Sequence, residues 1–227
     1  MADQKKSPIA QERDEEVRGL WRWLASRFDT RRLVFVDESG FNTSMARLRA
    51  RAPRGERAYG KVPRNRGKNT TLIASITLEG GMGKSVTIEG ATDAEVFEAY
   101  VEHFLLAPTP LEEGQVVVLD KLGAHLTEKV RELVEARGAQ LLFLPSYSSR
   151  DLNPIEEAFS KIKGVVARKA GARTREALEE AIAVVLTAVT PEDAAGWFAH
   201  AGYEAGSPYE HRCQNSIWWA RRRSTST

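Results

Sequence analysis

The sequence predicts an α/β fold in which helices flank a mixed central sheet. Three observations predict it. Two short apolar runs, RLVFVD at 32–37 and QVVVLD at 115–120, have the length and Val/Leu/Phe content of buried strands, and each stops at a carboxylate. Two further β-prone runs, 70–78 (TTLIASITL) and 84–89, flank a turn marked by Gly80, Gly81 and Gly83 and read as a hairpin. From residue 93 onward, segments of helical period alternate with strand-type runs.

Taken in order, residues 10–28 read as a charged helix with Val17, Leu20, Trp21 and Leu24 on one face. The first strand, 32–37, follows. The Gly/Pro-punctuated stretch after it is expected to hold one or two edge strands, and the hairpin comes next. Residues 93–106 carry Val96, Phe97, Tyr100, Val101 and Phe104 at helical spacing, with Thr92 or Asp93 as N-cap. The strand 115–120 leads to a helix at 127–137, closed by Gly138. The run QLLFL (140–144) is a strand stopped by Pro145. Residues 153–168 form a helix with Pro154 at its first position, where a missing N–H costs least. A helix over 173–189 is capped by Thr174 and stopped by Pro191, and a short helix spans 191–200. No repeat and no internal domain boundary is visible. The segment 206–227 is polar and irregular apart from Ile217, Trp218 and Trp219.

Composition narrows the function. The chain has 227 residues, 42% of them hydrophobic, enough for a substantial core in one large domain. A net charge of +2 does not itself indicate nucleic acid, but its distribution does. Between Met45 and Lys68 stand nine basic residues, Arg47, Arg49, Arg51, Arg54, Arg57, Lys61, Arg64, Arg66 and Lys68, against one acid, Glu56. An isolated basic run is usually a solvated loop face. A long, nearly acid-free run rich in Gly and Pro suits an arm on phosphates. A second basic cluster, Arg221, Arg222 and Arg223, lies near the end. The single cysteine, Cys213, excludes a disulfide framework and a cysteine-based zinc site, and fits a reducing cytoplasm. The first residues lack the apolar centre of a signal peptide, and no apolar run reaches membrane-spanning length.

The chemistry centres on carboxylates. Asp37 and Asp120 each follow an apolar strand, and ligand sites of open α/β sheets lie at the carboxyl ends of strands. One such Asp alone fits a turn or cap. Two of them with Glu156 at the start of a later helix fit a site. Converging carboxylates repel unless neutralised. A hard divalent cation, Mg²⁺ or Mn²⁺ in its place, takes oxygen ligands, and a pair of ions clamps both oxygens of an in-line displacement at phosphorus. GGMGKS (80–85) is not a phosphate-binding loop, because Leu78 stands where its first glycine is required and the segment sits in a hairpin.

Three segments, VFVDESG (34–40), VVVLDKLGAH (116–125) and LLFLPSYSSRDLNPIEEAFSKIK (141–163), resemble the signatures of mariner-superfamily DDE transposases in their bacterial insertion-sequence branch. The segment 51–76 is also similar to that family. The resemblance implies an RNase H-like fold over 32–203, preceded by a helical linker at 1–31 and followed by an irregular basic tail at 204–227. It implies Asp37, Asp120 and Glu156 as catalytic ligands of two Mg²⁺ ions, on the first strand, the fourth strand and the helix after the last. It implies DNA strand cleavage followed by attack of a 3′-hydroxyl on target DNA. His125 matches the family's histidine, which either positions the water, touches a phosphate or makes a local hydrogen bond where the next helix starts. Glu157 is the rival to Glu156 but points about 100° away on a helix, and Glu38 faces the other side of the strand from Asp37. The DNA surface implied is Arg47, Arg49, Arg51, Arg54, Arg64, Arg66, Lys68, Lys121, Lys161 and Lys163.

The chain departs from that pattern in places. Lys121 stands where the family usually has Asn, as a competitor for the metal or a holder of phosphate. The segment PSYSSRDLNPIE is one residue longer than usual, leaving 35 residues between Asp120 and Glu156. The family's N-terminal helix-turn-helix domains have no counterpart in this sequence. The expectation is therefore a homodimer on DNA completed by an upstream helix-turn-helix half, acting in the cytoplasm at the nucleoid. The alternative is a non-catalytic, DNA-binding or dimerising remnant.

Overall fold

The computed structural model describes residues 12–45, 51–59, 67–106, 111–168 and 174–204. Five strands form one sheet: β1 (Leu33–Phe41), β2 (Thr70–Thr77), β3 (Gly81–Glu89), β4 (Val116–Leu119) and β5 (Gln140–Phe143), in the order β3-β2-β1-β4-β5. β1, β2 and β3 are antiparallel neighbours, whereas β4 and β5 join β1 in parallel. The hairpin expected from the three glycines is β2–β3, and Gly81 adopts φ +63° in its turn, a region that favours glycine.

Strand periodicity divides the core in two. Leu33, Phe35 and Phe41 of β1, with Leu72, Ala74, Ile76, Val116 and Val118, face one cluster. It is completed by the short α4 (Ser149–Leu152), α5 (Pro154–Arg168), α6 (Arg175–Leu186) and α7 (Pro191–His200), through Leu152, Ile155, Phe159, Ile162, Leu178, Ile182 and Phe198. Val34, Val36, Ile73, Val117 and Leu119 face the other, built by α2 (Ala94–Tyr100) and α3 (Glu128–Glu135) through Phe97, Tyr100, Val130 and Val134. Asp93 and Thr174, caps in the sequence reading, each accept a backbone N–H, as does Thr127 ahead of α3, and Gly138 at φ +71° follows α3. α2 continues into one π-helical turn, Val101–Leu105. Among the described residues no helix is long and apolar enough to cross a membrane.

Three expectations are corrected. First, β1 does not stop at Asp37 but runs to Phe41, because β2 pairs with it from Val34 to Phe41. Second, the described residues between β1 and β2 contain no strand. Third, helix α1 (Glu15–Ala25) buries Arg18, Trp21 and Ala25 rather than Val17 and Leu20, which are exposed. Apolar periodicity located the helix but not which of two adjacent stripes meets the core. Trp21 and Ala25 belong to the same core cluster as the sheet, so the helix placed in an N-terminal linker packs as part of the domain. The tail from residue 205, the basic residues 46–50 and 60–66, and the chain before residue 12 lie outside the described residues.

Candidate active site

The strand register brings the two aspartates together. Parallel β1 and β4 pair Leu33 with Val116, Val34 with Val117 and Phe35 with Val118. Two residues further on, the same register sets Asp37 level with Asp120, on strands about 4.8 Å apart. β4 ends at Leu119, while β1 continues against β2. The sheet therefore opens beside Asp37, with Asp120 at the lip.

Asp37 is 4% exposed. One carboxylate oxygen accepts the Glu38 N–H at 2.7 Å and the other the Asn153 side-chain N–H at 2.9 Å. Burial, then the Asp120 carboxylate and more weakly Glu156 and Glu38, push its carboxyl up to about 8. That load places all three acids within electrostatic reach of Asp37. Asp120 accepts the Leu122 N–H at 3.1 Å. Glu156 lies in the first turn of α5, where the helix N-terminus favours a carboxylate. Its neighbour Glu157 bonds to His200 on α7.

His125 is fully buried in a 3₁₀ turn (Gly123–His125), with its ring against Phe97 at 4.0 Å between centroids. Nδ1 lies 2.6 Å from Asp120 and Nε2 2.5 Å from Glu38. Burial alone would depress the imidazole, but its contacts with Asp120 and Glu38 outweigh it and raise it to about 9. The ring is an imidazolium between two carboxylates. Nε2 is hydrogen-bonded to Glu38, whereas Nδ1 is in ion-pair contact with Asp120 without hydrogen-bond geometry.

The basic residues divide. Arg51, Arg54 and Lys68 are exposed, and Lys68 pairs with Glu89. Lys161 is bonded to Asp193, and Lys163 sits 5.6 Å over the Phe41 ring. Lys121 is exposed and lines an apolar groove with Val17, Leu20 and Trp23 of α1 and with Phe143 and Pro145. Arg47, Arg49, Arg64 and Arg66 lie outside the described residues. Sequence reasoning assigned no role to three residues that shape the site: Glu38, Asn153 and Arg18. Arg18, Trp21 and Ala25 stand at helical spacing, so an arginine on the same stripe as buried apolar residues was the available signal.

The residues fit a divalent cation in donor chemistry. They are hard oxygens, one buried among like charges that a cation would relieve. Among the described residues no three acidic, cysteine or histidine side chains are gathered into a ready ligand set.

A mixed five-stranded sheet flanked by helices, with acids at the edge where β4 ends, is an RNase H-like fold. Residues 32–179 match the DDE superfamily endonuclease family, and the chain belongs to it. No curated protein sequence matches the chain. Among solved structures it is similar to the Mos1 transposase paired-end complex with left transposon end, at 19% identity and TM-score 0.56, over 91% of this chain and 69% of that one. It is similar to the Mos1 mariner paired end complex with Mn, at 17% identity and TM-score 0.58, over 92% of this chain and 65% of that one. It is also similar to the Mos1 transposase catalytic domain with raltegravir and Mg, at 14% identity and TM-score 0.58, over 88% of this chain and 99% of that one. These likenesses establish the fold.

Proposed function

We propose that this chain is the catalytic domain of a DDE transposase that cleaves DNA strands and joins a 3′-hydroxyl to target DNA. The observation that carries the reading is the parallel register that sets Asp37 level with Asp120, with Glu156 close enough to bear on Asp37. These three acids would hold Mg²⁺ or Mn²⁺, and two bound ions would activate the attacking oxygen and stabilise the leaving one. The protein's own part is positioning. The Glu38 N–H and Asn153 orient Asp37, while the Leu122 N–H and His125 orient Asp120. The His125 imidazolium offsets part of the negative charge gathered there and ties Glu38 to Asp120, so His125 acts as a positioning residue. Glu156 arrives on a helix anchored by Ile155 and Phe159 in the core.

DNA is the partner this reading requires, and Arg51, Arg54, Lys68 and Lys121 are the exposed described residues offered to its phosphates. Lys161 would have to leave Asp193 to join them. A homodimer, an upstream helix-turn-helix half, an insertion-sequence origin and residence at the nucleoid complete the reading. The test is nicking of a labelled duplex in Mn²⁺. The wild type is expected to nick, and Asp120→Asn to lose nicking while staying folded. Nicking retained by Asp120→Asn overturns the assignment. Absence of both nicking and Mn²⁺ binding in the wild type favours a non-catalytic DNA-binding remnant.

A further inference from the structure

The single helical turn α4 between β5 and α5 is held by residues from both ends of the described chain. Arg18 of α1 is fully buried. Its Nη1 donates to Ser148 Oγ at 2.8 Å and to Asp151 Oδ1 at 3.3 Å, and its Nη2 donates to Asp151 Oδ2 at 2.6 Å. Such a fork fixes the plane of its partner as well as its position. From the other side, the Tyr203 hydroxyl donates to the Leu152 carbonyl at 2.7 Å and accepts the Trp21 indole N–H at 3.0 Å. Residues 148, 151 and 152 are thus tied down just before the chain reaches Asn153.

Asn153 is 2% exposed, and its side-chain N–H is on the Asp37 carboxylate. Its own Oδ1 is buried without a hydrogen-bond partner. Asp37 sits inside a strand, so the backbone fixes where its side chain starts, and the Asn153 hydrogen bond fixes which way its outer oxygen faces.

We propose that Asn153 is the positioning residue for Asp37, and that Arg18 and Tyr203 hold Asn153 in place by clamping the turn that carries it. This rests on the reading of Asp37 as a metal ligand. The hydrogen-bond partner of a ligating carboxylate typically governs metal affinity by roughly 10- to 100-fold. Helix α1, outside the residues that match the family, thereby becomes part of the apparatus that sets the site.

The experiment is calorimetric titration of Mn²⁺ into the full chain, with thermal unfolding in EDTA alongside. Asn153→Ala is expected to weaken Mn²⁺ binding by roughly 10- to 100-fold. Arg18→Lys keeps the charge but loses the fork, and is expected to weaken it by a smaller factor. Leu178→Ala, a core truncation in α6, is expected to lower the unfolding temperature and leave Mn²⁺ affinity unchanged, which separates positioning from bulk stability. Folded Asn153→Ala and Arg18→Lys that bind Mn²⁺ as tightly as the wild type overturn the positioning role while the metal site stands. If Asn153→Ala does not fold, an unchanged affinity in Arg18→Lys overturns it alone. A wild type that binds no Mn²⁺ overturns the ligand reading of Asp37, and this proposal with it.

Discussion

The two aspartates at the centre of the site are held in opposite ways. Asp37 lies inside β1, almost fully buried, and receives neutral donors, the Glu38 N–H and the Asn153 amide. Asp120 lies one residue beyond β4, with its side chain 21% exposed, and adds to one backbone donor, the Leu122 N–H, a charged partner, His125. The difference follows from the sheet. Asp37 is fixed by the β2 ladder, which pairs the residues before and after it, so it lacks only orientation. A carboxylate past the strand end has no ladder, and a buried cation joins the Leu122 N–H in anchoring it. The cost falls on Asp37, whose carboxyl is pushed up to about 8 by burial first and by Asp120 second.

The sharpest way to break this comparison is to neutralise each aspartate in turn and measure unfolding in metal-free buffer. Asp120→Asn is expected to destabilise by about 3 kcal/mol, because it removes a charge partner of the buried His125 cation. Asp37→Asn is expected to stabilise, because it removes a carboxylate that burial and like charge disfavour. Equal and same-signed effects would show that the two acids are held alike.

Next comes the support behind Asn153. Asp151→Ala leaves the fully buried Arg18 guanidinium without its main partner and is expected to cost about 3 kcal/mol in urea unfolding. A cost below about 0.5 kcal/mol would mean that the turn is not anchored there. The pH dependence is a finer test. The folded-state carboxyl of Asp37 lies above its unfolded value, so the metal-free folded protein binds the extra proton between about pH 4 and 8. Stability from this group is therefore present at low pH and lost as pH rises toward 8. The Asp37→Asn curve should lack that slope between about pH 4 and 6.5, below the range where His125, raised to about 9, contributes a slope of the same sign; an identical slope there in both proteins would assign it to another group. The smallest effect is expected at the far end of the clamp. Trp21→Phe removes one donor to Tyr203 and should cost about 1 kcal/mol.

Much of this was legible in the sequence, for identifiable reasons. The helices at 127–137 and 153–168, and the short helix at 191–200, announced themselves through caps, a closing glycine and first-position prolines, all local signals. The apolar runs before Asp37 and Asp120 gave the strands. The length of β1 was not legible, because what continues β1 past Asp37 is pairing with β2, some thirty residues away in the chain. His125 was singled out by resemblance, but its two carboxylate partners, one in β1 and one just past β4, carry no local mark. Arg18 sat in plain view on a helix read as a linker.

By itself, the sequence determined the element types, the mixed α/β class and the acids worth watching. Those follow from side-chain period, capping chemistry and the rarity of carboxylates after apolar strands, all of which are written within a few residues. Only the tertiary structure decided that parallel pairing of β1 with β4 brings Asp37 level with Asp120. It alone turned α1 so that an arginine faces inward, and it alone closed His125 between Glu38 and Asp120. Each depends on residues far apart in the chain meeting in one register, which local periodicity does not encode.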